Sequence, residues 1–313
     1  MIQRRDLMLS AIAAGGAVLT KAGKAAASTK VSHQPTDNSE KNGFVIALGG
    51  GAAKAFAHIP ILEALDELGV EPAEIAGTSM GAILGGLYAS GMSGLEIRKY
   101  GIELFTQKTQ LFQKLFLKDG RTWSSLFNMV RPAIIEPTVL FEKIFPETLA
   151  DNFSELRIPL RIVATDFYTQ SQVILDEGPL LPAIAASSAL PMLLTPVEIN
   201  GRVLIDGGFV NPTPFDILDD GKHFTIGVDV TGTDFPRTSN LPSGMETWIG
   251  SFSITLNSLV TAKLQCVHPD LFVDLPIETY SPMDFFRIED ILAAAEPAKE
   301  PFKRELAALL DVN

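Results

Sequence analysis

Gly77-Thr78-Ser79-Met80-Gly81 matches G-x-S-x-G, the pattern of a strand-to-helix turn tight enough to present a serine hydroxyl at the edge of an α/β sheet. Small residues are needed two positions either side of the serine, because a Cβ there clashes inside so sharp a turn. The flanks agree with this reading. Glu71-Pro72-Ala73-Glu74-Ile75-Ala76 predicts a short buried strand, and Ala82 to Ala89 a helix packed through small residues. A five-residue match is weak by itself. The rest of the chain has to supply donors for an oxyanion and a base for the hydroxyl.

Upstream, Phe44-Val45-Ile46-Ala47-Leu48 is a continuous apolar run of strand length, suited to a parallel strand covered on both faces. Gly49-Gly50-Gly51 follow at once. Ala52 to Leu68 then reads as a helix, with Phe56, Ile59, Ile61, Leu62, Leu65 and Leu68 at helical spacing and Gly69 as its stop. Strand, glycine loop, helix, strand, elbow and helix make a βαβ unit, with both loops at the strands' C-terminal edge. Backbone N–H groups at Gly49, Gly50 and Gly51 are unobstructed by side chains and precede a helix, so they are candidate oxyanion donors. A dinucleotide or phosphate loop fits less well. The full G-x-G-x-x-G fingerprint is absent, Lys54 standing at one of its positions, and no G-K-[ST] follows.

The base is the harder choice, because only four histidines exist. His33 lies in a polar leader. His58 falls inside the helix after the glycine loop, where a packed, hydrogen-bonded role is expected. His223 and His268 precede predicted strands, which puts them on the sheet edge opposite the elbow. Asp206 instead ends the apolar run Val203-Leu204-Ile205 and is followed by Gly207-Gly208, so it can sit on the elbow's edge. Asp-Gly-Gly alone reads equally as a plain turn.

Composition bounds the remaining possibilities. The chain has 313 residues, 46% hydrophobic and 20% charged, with a net charge of −12. That describes a globular protein with a sizeable core. The negative balance argues against nucleic-acid binding, which needs a basic face. It also disfavours long-range attraction to anionic bilayers, leaving a local apolar patch as the route to transient contact with a membrane surface. Cys266 is the only cysteine, so no intramolecular disulfide forms.

Residues 1–27 read as an export signal. Arg4-Arg5 form a paired-arginine start, Leu9 to Leu19 a mildly apolar run, and Ala25-Ala26-Ala27 a small-residue cleavage site. The run is too short to span a bilayer, which takes about 20 residues. The arrangement resembles a twin-arginine signal, with an ordinary Sec signal as the alternative, and either predicts an exported, periplasmic protein. No other segment is apolar enough to span a membrane. Residues 28–42 are polar and aperiodic, a disordered leader. Strand signals vanish between about 94 and 150, predicting a helical insertion. Within it Leu104, Phe105, Leu111, Phe112, Leu115 and Phe116 form an apolar stripe that reads as sheet packing or as a lid. Residues 231–313 read as a largely helical extension with a short strand near Leu271-Phe272-Val273.

Together, Leu48-Gly49-Gly50-Gly51-Ala52-Ala53-Lys54 with His58, then Gly77-Thr78-Ser79-Met80-Gly81, then Asp206-Gly207-Gly208, resemble the bacterial branch of the patatin-like phospholipases. So do Val163-Ala164-Thr165-Asp166, Ser187-Ser188-Ala189-Leu190-Pro191 and Val210-Asn211-Pro212-Thr213-Pro214. The likeness covers roughly 44–230 and implies a three-layer α/β/α fold with a central, mostly parallel sheet. It further implies a Ser–Asp dyad without histidine: Ser79 as nucleophile, Asp206 as base, Gly49, Gly50 and Gly51 around the oxyanion, no metal and no cofactor. Gly77, Gly81, Gly207 and Gly208 shape the two turns. The implied function is a lipid acyl hydrolase of phospholipase A, lysophospholipase or carboxylesterase type acting through an acyl-enzyme. A lipid acyltransferase and a catalytically silent lipid-binding protein are the alternatives. Ala52 and Ala55 depart from the family's usual glycines, at the start of the helix rather than in the first glycines.

Overall fold

The computed structural model describes residues 30–33, 41–106, 135–232 and 241–311. The expected export signal and the part of the apolar stripe beyond Thr106 lie outside the described residues. The strands are β1 (Lys30–His33), β2 (Phe44–Leu48), β3 (Ile75–Thr78), β4 (Leu160–Asp166), β5 (Ser171–Leu175), β6 (Val197–Ile199), β7 (Arg202–Asp206), β8 (Phe224–Asp229) and β9 (Leu271–Asp274). The α-helices are α1 (His58–Leu68), α2 (Met80–Ala89), α3 (Gly94–Thr106), α4 (Pro137–Ile144), α5 (Leu180–Ser187), α6 (Gly244–Leu264), α7 (Ile288–Ala295) and α8 (Lys299–Leu310).

All five residues of β2 are buried, as its unbroken apolar run predicts for a strand with both neighbours parallel. Strands β9, β8, β2, β3 and β4 run parallel in that order, while β1, β5, β7 and β6 add antiparallel pairings. Alternate residues serve two cores. Phe44, Ile46 and Leu48 face the larger one, built with α1, α2, α5, α7 and α8. Val45 and Ala47 face a smaller one with Phe215 and Leu218. Fully burying a side chain such as Ile46 or Leu48 contributes about 2 kcal/mol. The mostly parallel sheet between helical layers is the expected fold class.

Three local expectations are corrected. Residues Lys30–His33, expected within a disordered leader, instead form β1 along the edge of β9. The strand expected over 71–76 begins only at Ile75 and runs through Thr78, so it ends against the serine. Pro72 lacks an N–H, and Ala73 turns its own N–H to the Phe44 carbonyl rather than continuing the ladder. The helix after the glycines starts as a 3-10 segment, Ala52–Ala57, before α1 begins at His58. The short strand expected near Leu271-Phe272-Val273 is β9, through which the C-terminal extension joins the sheet, and Lys299 of α8 pairs with Glu63 of α1 at 3.1 Å.

The order of pairing along β4 positions the site. On one side of β4, Thr78 of β3 lies opposite Val163. On the same side, one residue further, Asp206 of β7 lies opposite Ala164. The other side is taken by β5, which pairs with both Val163 and Ala164. Two strands of opposite direction therefore end head to head. One leads straight into Ser79 and the other ends on Asp206.

Candidate active site

Ser79 sits between the end of β3 and the start of α2 at φ 54° and ψ −123°, a strained conformation for a residue with a Cβ. The glycines beside it make this turn sterically possible. A Cβ on Gly81 would lie 2.1 Å from the Leu48 carbonyl oxygen, and one on Gly77 2.6 Å from the Ala82 Cα. The Ser79 amide N–H donates to Ser187 Oγ at 2.8 Å, and Ser187 Oγ donates onward to the Val163 carbonyl at 2.6 Å. The turn is thus clamped to β4.

The Ser79 hydroxyl donates to Asp206 Oδ2 at 2.7 Å. Asp206 is 2% exposed, and its Oδ1 accepts the Gly208 N–H at 2.8 Å. Burial pushes its pKa up to about 6, against the opposing pull of the hydrogen bonds from Gly208 and Ser79. Its backbone is fixed too: Thr165 Oγ1 donates to its carbonyl, and its N–H donates to the Ala189 carbonyl. Gly207 lets the chain pass β4 closely, since a Cβ there would stand 2.1 Å from the Val163 oxygen.

The glycine loop reaches the same place but divides its roles. Gly50 lies against the serine, a Cβ on it falling 3.2 Å from Ser79 Cβ. The N–H groups expected as oxyanion donors at Gly49 and Gly50 are already used, by the Val228 carbonyl at 3.0 Å and the Pro212 carbonyl at 2.8 Å. Those two glycines anchor the loop instead. The N–H groups of Gly51, Ala52 and Met80 find no acceptor among the described residues, and all three residues line the cavity beside Ser79. Gly51 is the one of the three expected donors left free. Met80, at the first position of α2, was not singled out from the sequence, although a helix's first N–H groups are always left over.

His58 is buried, and its Nε2 donates to the Gly49 carbonyl at 2.8 Å. Burial lowers its pKa to about 4. It is a neutral strut of the glycine loop, as expected, and not a base. His223 pairs with Asp220 at the opposite end of β8. Asn211 accepts from Thr78 Oγ1 through its carbonyl, while its side chain meets Gln172, Asp216 and Lys263. Lys54, 4% exposed, donates to the Thr231 carbonyl. Burial lowers the Lys54 pKa, opposed by Asp229, Glu278 and Asp274.

Ser79 and Asp206 open into a cavity of about 470 Å³. Its walls include Leu84, Leu87, Ile97, Leu104, Phe141 and Ile144, and also Trp248 and Phe252. Leu104 and Phe105, the described start of the apolar stripe, line this cavity rather than packing on the sheet alone. Among the described residues no group of His, Cys, Asp and Glu is placed to hold a metal ion. No helix among them is long and apolar enough to cross a membrane.

The fold and site define an α/β protein with a serine on a strand–helix elbow, hydrogen-bonded directly to a buried aspartate. The sequence model of the patatin-like phospholipase family matches residues 46–219, which include both groups, and the chain belongs to that family. An uncharacterized NTE family protein of Mycobacterium tuberculosis is 31% identical over 211 residues, 65% of this chain and 54% of its own length. The chain thus spans about half the length of that relative. A lysophospholipase of Scheffersomyces stipitis is 25% identical over 276 residues, 79% of this chain and 17% of that protein. VipD from Legionella pneumophila aligns with a TM-score of 0.43 and 14% identity, over 88% of this chain and 70% of VipD.

Proposed function

We propose that the protein is a serine lipid acyl hydrolase, cleaving carboxylic esters of phospholipid or lysophospholipid type with a Ser79–Asp206 dyad. The observation that carries this reading is the 2.7 Å hydrogen bond from Ser79 to Asp206 at the wall of an apolar cavity. Asp206 accepts the hydroxyl proton as Ser79 Oγ bonds to the ester carbonyl carbon, and the N–H groups of Gly51, Ala52 and Met80 stabilise the oxyanion. Collapse of that intermediate expels the alcohol, which takes the proton back from Asp206 and leaves an acyl-serine. Water, deprotonated by the same carboxylate, then releases the fatty acid and restores the hydroxyl. A carboxylate of ordinary pKa is a weak base for a hydroxyl, and its rise to about 6 narrows that gap.

The apolar walls of the cavity suit an acyl chain. Ile135 and Met192 line the cavity yet are 37% and 50% exposed. This apolar rim supports transient contact with a lipid surface from which substrate enters. The paired Arg4-Arg5 and the small-residue site at Ala25-Ala26-Ala27 support export to the periplasm, testable by cell fractionation. The dyad is tested with a fluorophosphonate probe and a panel of p-nitrophenyl esters and phospholipids. Wild type is expected to label and turn over, and Ser79→Ala to do neither while keeping its circular dichroism. A Ser79→Ala protein that still labels or hydrolyses at the wild-type rate refutes the assignment.

A further inference from the structure

Ser188 carries a hydrogen-bonding group that the fold does not use. It is 8% exposed, and its Oγ is closed off from solvent without a partner among the described residues. A buried hydroxyl without a partner is costly and normally avoided. Its position is specific. The preceding residue, Ser187, holds the Ser79 amide, and the following residue, Ala189, accepts the Asp206 N–H. Ser188 therefore sits between the anchors of both dyad members, on the wall of the same cavity. Two other hydroxyls of that wall are committed elsewhere: Thr231 donates to Asp229, and Ser253 to the Ile249 carbonyl. Because Ser188 Oγ has no bond to break, rotation about its Cα–Cβ bond can turn it into the cavity without losing one.

Resting on the hydrolase reading above, we infer that Ser188 is a specificity-determining residue whose hydroxyl donates to an oxygen on the substrate's alcohol half, on the carbon next to the scissile ester. Three considerations select that oxygen. The acyl chain carries none beyond its carbonyl. The carbonyl oxygen is met by the N–H groups of Gly51, Ala52 and Met80. Apart from the bridging oxygen, which every ester shares, the oxygens of a glycerol ester lie on its other two carbons, the nearer one next to the scissile ester. A simple alkyl ester has none there, so it leaves Ser188 unpaired.

The test compares the glycerol monoester and the ethyl ester of one long-chain fatty acid, with wild type and Ser188→Ala, alongside fluorophosphonate labelling and thermal melting. A neutral hydrogen bond corresponds to about a three- to tenfold preference. Wild type is expected to favour the glycerol ester, and Ser188→Ala to lose about that factor in kcat/KM on it. The variant should hold the ethyl ester within about twofold, label at the wild-type rate and melt no lower, since it removes a hydroxyl that bonds to nothing. Equal loss on both esters, no loss on either, or a lowered melting temperature overturns the assignment. A wild type that neither labels nor turns over the ethyl ester instead overturns the hydrolase reading itself, and this one with it.

Discussion

Asp206→Asn is expected to inactivate the protein and stabilise it at the same time. The carboxyl has a pKa of about 6 where an unburied aspartate has 3.8. At about 1.36 kcal/mol per pH unit, that gap represents about 3 kcal/mol charged against folding whenever Asp206 is ionised. The folded state binds the proton more tightly than the unfolded chain, so stability falls as pH rises from about 4 to about 6 and stays reduced above that. Asparagine is neutral throughout. Its side-chain oxygen can still accept the Gly208 N–H, and its amide can face Ser79 Oγ. The stability difference between variant and wild type should therefore be near zero below pH 4 and rise to as much as about 3 kcal/mol at pH 8. Other titrating groups cancel in that difference. Urea denaturation of both proteins at pH 4, 5, 6, 7 and 8 measures it directly.

The same shift sets the activity profile. The dyad needs an ionised carboxylate, so wild-type kcat/KM should fall tenfold per unit below about pH 6. His58 adds no second limb in that range, being neutral above about pH 4 and bonded to the Gly49 carbonyl rather than to the hydroxyl. Loss of a general base lowers turnover by roughly 10²- to 10⁴-fold. A variant less stable than wild type at pH 8, a difference that does not change with pH, or an acid limb well below pH 5 would refute the reasoning.

The remaining predictions concern what holds the serine in place. Gly81→Ala puts a Cβ on top of the Leu48 carbonyl and should abolish both soluble folding and labelling, whereas Gly250→Ala, with no atom within 4 Å of the new carbon, should fold and label as wild type. Equal behaviour of the two, read by soluble yield and melting temperature, would contradict the packing argument. Ser187→Ala removes the clamp on the Ser79 amide and leaves the Val163 carbonyl unpaired. It should cost about 1–3 kcal/mol and slow fluorophosphonate labelling of Ser79. Unchanged labelling kinetics would show that the elbow holds without it.

What the sequence made legible was local. The elbow, the first glycine loop and the Asp-Gly-Gly turn each depend on neighbours within a few residues, and their chemistry could be read from spacing. Asp206 was placed on the elbow's edge because it ends an apolar run. The head-to-head arrival of β3 and β7 on one side of β4 could not be read, since it depends on pairings between distant segments with no periodic trace. The existing bonds of the Gly49 and Gly50 N–H groups are illegible for the same reason. Whether Gly49 and Gly50 are free is decided by Val228 and Pro212, far along the chain. Ser187 and Ser188 were noticed only as part of a family-like stretch, because two adjacent serines with opposite duties look alike in sequence. The strand β1 was missed because a short polar segment joins an edge through its backbone.

The distribution of backbone strain argues independently for where the chemistry lies. Among the described residues, six other than glycine have positive φ: Ala52, Ser79, Gln170, Met192, Asn200 and Asp311. Three have ordinary reasons. Asn200 shares a hairpin turn with Gly201, Gln170 closes the turn between β4 and β5, and Asp311 ends α8. The other three, Ala52, Ser79 and Met192, all line the one cavity that contains Asp206. Ala52 occupies a conformation in which glycine, the family's usual residue there, would be unstrained. Each such residue costs on the order of 1–3 kcal/mol, in addition to the cost of keeping Asp206 ionised and buried. A fold selected only for stability would place glycine at 52 and 79 and a neutral side chain at 206. The surrounding bonds hold the unfavourable choices instead: Ser187 on the Ser79 amide, Val228 and Pro212 on the glycine loop, Gly208 on the carboxylate. Strain, buried charge and their restraints converge where β2, β3 and β7 end, as expected if that point is retained for reactivity at the expense of stability.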